Sequence, residues 1–132
     1  MIRNIVIAIL SLTILSFIGC KETSKSEYII IDESKNGQTI DIAVGKYLIV
    51  KIGGNPTTGF IWEQKGECKV LETYKDPEFE PKSKELVGSP GTKTFFYKVI
   101  SAGTDSLVLI NHRPWEKDKE PTKRFSITIN AR

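Results

Sequence analysis

The sequence predicts an all-β domain: an antiparallel two-sheet sandwich of seven or eight short strands. Three observations lead there. From Tyr28 onward apolar residues recur with a period of two rather than 3.6. Turn-forming residues break that alternation about every 8 to 12 positions, the spacing expected of short sandwich strands. No window of useful length beyond residue 19 has a helical pattern, and residues 20–132 are enough for a single domain and a single core.

In chain order, residues 1–19 stand apart from the fold. Arg3 supplies a positive charge, and Ile5 to Ile18 is apolar except for Ser and Thr. That run has the length of a signal-peptide core and falls short of the about 20 residues a spanning helix needs. It ends in Phe17-Ile18-Gly19-Cys20, which resembles a bacterial lipobox, where a small residue precedes a cysteine that is lipidated and becomes the new N-terminus. The resemblance implies a protein in the bacterial cell envelope, lipid-anchored at Cys20 to a membrane outside the cytoplasm. Stable anchoring takes two or more acyl chains, because a single chain holds only at about 10⁴ M⁻¹. An ordinary secretory signal and an uncleaved anchor are the alternatives. Residues 20–27 then form a polar tether, and residues 28–132 form the domain.

Within the domain, Ile40, Ile42 and Val44 alternate with Asp41 and Ala43 before a Gly45-Lys46 turn. Tyr47 to Ile52 is more continuously apolar and is closed by Gly53-Gly54. Phe60-Ile61-Trp62 opens the next strand, and Lys69 to Thr73 another. Phe95, Tyr97 and Val99 share one face of a later strand, with Phe96, Lys98 and Ile100 on the other, until Ala102-Gly103 turns the chain. Leu107 to Ile110 follows. The last strand has the cleanest pattern, with Phe125, Ile127 and Ile129 alternating with Ser126, Thr128 and Asn130. Glu72 to Ser89 is polar, dense in charge and carries Pro77 and Pro81, so it reads as a mobile loop. There is no Cys…Trp…Cys spacing, so any immunoglobulin-like character is architectural, with hydrophobic packing in place of an inter-sheet disulfide.

Composition narrows the function. Lys and Arg number 19 against 16 Asp and Glu, interleaved rather than gathered into a basic stripe, which argues against nucleic acid as a partner. With one His and two Cys, a zinc-type metal site is excluded, and nothing in the sequence calls for a cofactor.

Three turns carry residues suited to recognition. In Asn55-Pro56-Thr57-Thr58-Gly59-Phe60, Asn-Pro starts a turn, Gly59 supplies a positive φ, and two threonines remain at the tip with hydroxyls free to donate and accept. Read alone, this is also simply a well-made hairpin connection. In Gly88-Ser89-Pro90-Gly91-Thr92, Pro90 and Gly91 fit the central positions of a type II turn. Arg113-Pro114-Trp115-Glu116 joins two residue types that dominate interface energetics, worth about 2 to 4 kcal/mol each on truncation. Its proline is expected to hold the backbone extended. The plain alternative is that Trp115 caps the core while Arg113 pairs with a neighbouring acid. Lys117 to Lys123 continues the loop as a solvated segment.

Together, in this order and on this β background, the three motifs resemble the chagasin-like inhibitors of papain-type cysteine peptidases. The resemblance runs from about Ile30 to the C-terminus. Phe60 stands where the family often has Tyr, and Asn111-His112 makes a less aromatic approach to the Arg. The resemblance implies an immunoglobulin-like antiparallel β-sandwich, a monomer without cofactor, whose three loops gather at one end. The Thr57–Thr58 tip would enter a papain-like peptidase's catalytic cleft. Trp115 would stack on the primed side with Arg113 bonding beside it, and Gly88–Thr92 would lie along the non-primed side. Inhibition would be reversible, across a contact of about 1,600 Å². Two other readings compete: an adhesion or envelope-binding module on the same sandwich, and an enzyme with Cys68 as nucleophile and His112 as base.

Overall fold

The computed structural model describes residues 27–132. Cys20, the leader before it and most of the tether lie outside the described residues. Eight strands follow: β1 (Tyr28–Ile31), β2 (Thr39–Ile42), β3 (Tyr47–Gly54), β4 (Ile61–Gln64), β5 (Leu71–Pro81), β6 (Gly91–Val99), β7 (Gly103–His112) and β8 (Lys123–Ala131). They form two four-stranded sheets, in the orders β1-β3-β6-β5 and β2-β8-β7-β4. No helix among the described residues is long and apolar enough to cross a membrane.

Alternation in the sequence becomes sidedness in the sheets. Leu48, Val50 and Ile52 of β3 and Phe95, Tyr97 and Val99 of β6 point inward, against Leu107 and Leu109 of β7 and Phe125, Ile127 and Ile129 of β8. Each such side chain contributes about 1.5–3 kcal/mol by leaving water, and the core closes entirely within residues 31–131. Tyr97 is buried in the middle, and its hydroxyl donates to Gln64 Oε1 at 3.1 Å. Cys68 is a buried free thiol.

Four expectations change. The stretch Glu72 to Ser89 is not all loop, because β5 runs through it to Pro81 and pairs with β6. It does so as an edge strand, so its polar residues face water. Its ladder skips between Thr73 and Lys75 and again between Lys75 and Glu78, so Pro77 falls where no partner needs its missing N–H. The strand predicted from Lys69 begins at Leu71. Gly91 is no turn glycine: it opens β6 opposite Pro81, and the positive φ in this loop belongs to Gly88. Finally, the antiparallel body carries two parallel edges, β1 on β3 and β2 on β8. The chain crosses from one sheet to the other between β1 and β2, which alternation alone does not reveal.

Register decides where the loops go. Gly54 at the end of β3 pairs with Gly91 at the start of β6. Ile61 at the start of β4 pairs with His112 at the end of β7, and Asn111 pairs with Lys123 at the start of β8. The β3–β4, β5–β6 and β7–β8 connections therefore emerge at one pole.

Candidate functional site

The first connection is a single 3-10 turn, Pro56–Thr58, built around Asn55. Asn55 Oδ1 accepts from the Thr57 amide at 3.2 Å and from the Thr57 hydroxyl at 2.5 Å. Its carbonyl accepts the Thr58 hydroxyl at 2.7 Å and the Thr58 amide at 3.2 Å. Pro56 suits the first helical position, where no N–H is required. Gly59 ends the turn at φ +85°, as expected. Both threonine hydroxyls are thus engaged as donors inside the loop.

Cross-links tie this turn to the other two loops. Asn55 Nδ2 donates to the Gly88 carbonyl at 3.0 Å. Arg113 Nε and Nη2 donate to the Thr58 carbonyl at 3.3 and 3.2 Å. The same guanidinium lies 4.3 Å from the Phe60 ring centroid and pairs with Glu116 at 3.3 Å. Arg113 therefore acts as an internal brace, which its place in the motif did not disclose. A Cβ at Gly59 would lie 2.5 Å from the edge of the Trp115 indole, so glycine is needed here for close approach as well as for φ.

Trp115 is 67% exposed, which removes the core-capping alternative. Pro114 does not hold an extended segment: the Glu116 amide donates to the Arg113 carbonyl at 3.0 Å, closing a tight turn with Pro114 in the position its fixed φ favours. Below it, Asn111 is buried and its Oδ1 accepts the Thr122 hydroxyl at 3.0 Å, while the Thr122 amide reaches the Asn111 carbonyl at 2.9 Å. That pair closes the base of the Arg113 loop. His112 is hydrogen-bonded to Glu63 at 2.7 Å. Gly91 and Thr92 sit in β6 at the root of the middle loop, whereas Gly88, Ser89 and Pro90 belong to its descending limb. Leu86 and Val87 beside them are among the most exposed large apolar residues. They carry no motif, and only their hydrophobicity in a polar stretch marked them.

The proposed nucleophile and base are not brought together. The Lys69 amide, next to Cys68, bonds Asp105 Oδ2 at 2.7 Å near the start of β7, whereas His112 ends that strand. Seven residues at ~3.3 Å each place them on the order of 20 Å apart. Burial also pushes the Cys68 thiol pKa up, against thiolate formation.

The sequence profile of the chagasin family peptidase inhibitors, I42, matches residues 41–129. The chain belongs to that family. It is 34% identical over 106 residues to chagasin of Trypanosoma cruzi, a match covering 76% of this chain and 96% of chagasin. Its fold is similar to the crystal structure of the cysteine protease inhibitor EhICP2 from Entamoeba histolytica, with a TM-score of 0.69 at 22% identity, covering 80% of this chain and 95% of that one. PbICP-C, solved in complex with falcipain-2, shares the fold with a TM-score of 0.51 at 19% identity, over 80% of this chain and 98% of that one. The family is one of inhibitors, so the chain is not an enzyme.

Proposed function

We propose that the chain is a reversible, tight-binding inhibitor of papain-like cysteine endopeptidases, with the three braced loops plugging the active-site cleft. The observation that carries this is the mutual bracing itself: Arg113 on the Thr58 carbonyl, Asn55 on the Gly88 carbonyl, and an exposed Trp115 packed over Gly59. A ridge ordered before contact loses little conformational entropy on docking. Chagasin is similar over most of the domain, and the fold occurs in PbICP-C bound to falcipain-2.

The mode of blockade follows from where the carbonyls point. The Asn55, Pro56 and Thr58 carbonyls all accept hydrogen bonds from within the protein. A thiolate facing this segment meets a 3-10 turn with these three carbonyls already bonded, instead of an extended peptide held for attack, so the tip obstructs without being cleaved. Trp115 supplies a large rigid anchor on one side, and Gly88-Ser89-Pro90, extended by Leu86 and Val87, lies on the other. The protein acts as a monomer, lipid-anchored at Cys20 in the cell envelope outside the cytoplasm, in keeping with the lipobox-like Phe17-Ile18-Gly19-Cys20.

Titration of papain with residues 20–132 tests this reading. Nanomolar or tighter reversible inhibition is expected, with the inhibitor recovered intact after long incubation. Absence of inhibition across papain and several cathepsins, or steady cleavage at Thr57–Thr58, refutes it.

A further inference from the structure

A row of aromatic rings crosses the outer face of the β1-β3-β6-β5 sheet. Tyr28 stacks on Tyr47 with centroids 5.3 Å apart, Tyr47 meets Tyr74 edge-on at 4.8 Å, and Tyr74 meets Phe96 at 6.0 Å. Lys98 Nζ sits 5.7 Å from the Tyr47 ring and Lys75 Nζ 4.7 Å from that of Phe96. Tyr28, Tyr74 and neighbouring Ile30 are 46%, 42% and 60% exposed. The inhibitory loops do not use this face. Acids are present, since Lys75 pairs with Glu78 at 2.6 Å and Glu72 stands opposite Lys98, so the surface is amphipathic rather than strongly basic.

Position adds meaning to composition. Tyr28 and Tyr47 begin their strands and are register partners, whereas the first inhibitory loop follows Gly54 at the far end of β3. Seven residues at ~3.3 Å each separate the two by about 23 Å. Only residues 21–27 lie between Cys20 and Tyr28, and fully extended they reach no more than about 30 Å. A lipid on Cys20 would therefore keep this pole within about 30 Å of a bilayer, where the local concentration of headgroups is high. Tyrosine rings with polar tips and lysines with apolar stems suit the boundary between headgroups and acyl chains.

We propose that this aromatic and lysine face rests on the headgroup layer of the membrane to which Cys20 tethers the chain, leaving the inhibitory loops at the opposite pole. The proposal rests on the anchoring at Cys20 proposed above and is independent of which peptidase is inhibited. The occupant is lipid with some anionic headgroups, attracted by Lys75 and Lys98.

The test couples Cys20 of residues 20–132 to a maleimide lipid in phosphatidylethanolamine–phosphatidylglycerol vesicles; all eight strands lie within this segment, and Cys68 is buried. Amine acetylation followed by mass spectrometry reads each lysine. Lys75 and Lys98 should be labelled about five-fold more slowly on vesicles than in solution, while Lys84 and Lys117 near the loops should not change. Replacing the exposed rings, Tyr28→Ser together with Tyr74→Ser, should abolish the protection of Lys75 and Lys98 while papain inhibition stays within about two-fold, which also shows that the variant folds. Equal labelling of all four lysines in wild type, on vesicles and in solution, overturns the proposal. So does protection that appears only at high surface density together with dimer formation in solution, which assigns the face to a second copy. Loss of papain inhibition in wild type with protection intact would refute the inhibitor reading and leave this one standing.

Discussion

Arg113→Lys tests the brace most directly. The substitution keeps the charge but removes the planar fork that reaches the Thr58 carbonyl with two N–H groups and Glu116 with a third. Hydrogen bonds involving a charged group contribute about 1.5–3 kcal/mol when protected. Here the side chain is 36% exposed, so water competes, and the whole brace is worth about 1–2 kcal/mol. That energy does not hold the sandwich together; it holds the Thr57–Thr58 turn in one conformation. Removing it lowers the fraction of molecules ready to bind, and apparent affinity falls by that fraction, here about 5–30-fold. Papain inhibition read alongside hydrogen exchange of the free inhibitor distinguishes the mechanism. A brace predicts faster exchange at the Thr58 and Gly59 amides before any peptidase is added. Weakened inhibition with unchanged exchange would mean that Arg113 contacts the peptidase itself, and inhibition within about two-fold of wild type would refute the reasoning.

Gly59→Ala places a Cβ at φ +85° and 2.5 Å from the indole; the backbone costs about 1–2 kcal/mol, and Trp115 must move. Papain inhibition should weaken by about ten-fold or more, with a shift in tryptophan fluorescence. Gly91→Ala would set a Cβ 2.1 Å from the Glu80 carbonyl oxygen, prising β5 from β6 at a cost of about 1–3 kcal/mol, seen as a lower urea midpoint. Alkaline pH should destabilise the fold. Burial raises the Tyr97 pKa well above its ordinary 10.0, so above that pH the unfolded chain loses the proton first and stability falls. Tyr97→Phe should flatten that decline in thermal melts across pH 9 to 11, after losing about 1 kcal/mol at neutral pH with the bond to Gln64.

Much of this architecture was legible in the sequence because burial writes itself as alternation. Phe125, Ile127 and Ile129 announce β8, and Phe95, Tyr97 and Val99 announce the inward face of β6. β5 was not legible because an edge strand open to water has no reason to be apolar, and its prolines sit where the ladder skips. The parallel pairings of β1 with β3 and of β2 with β8 depend on a chain crossing between the sheets that no local pattern encodes. At the site, the turn residues identified the loops, and Gly59 has the conformation assigned to it. Their convergence rests on register across residues as distant as Gly54 and Gly91. The roles of Asn55 and Arg113 as cross-loop ties, and of Gly91 in close strand packing, become visible only when the loops are brought side by side.

The thiol of Cys68 has a consequence for where such a protein can work. Peptidases that depend on a thiolate need reducing surroundings to stay active, and those surroundings threaten small proteins that are held together by accessible cystine bridges. Here the sole cysteine among the described residues is unpaired and enclosed, and cohesion comes from packed aliphatic and aromatic side chains. Millimolar dithiothreitol, which switches the target enzymes on, leaves this scaffold nothing to lose.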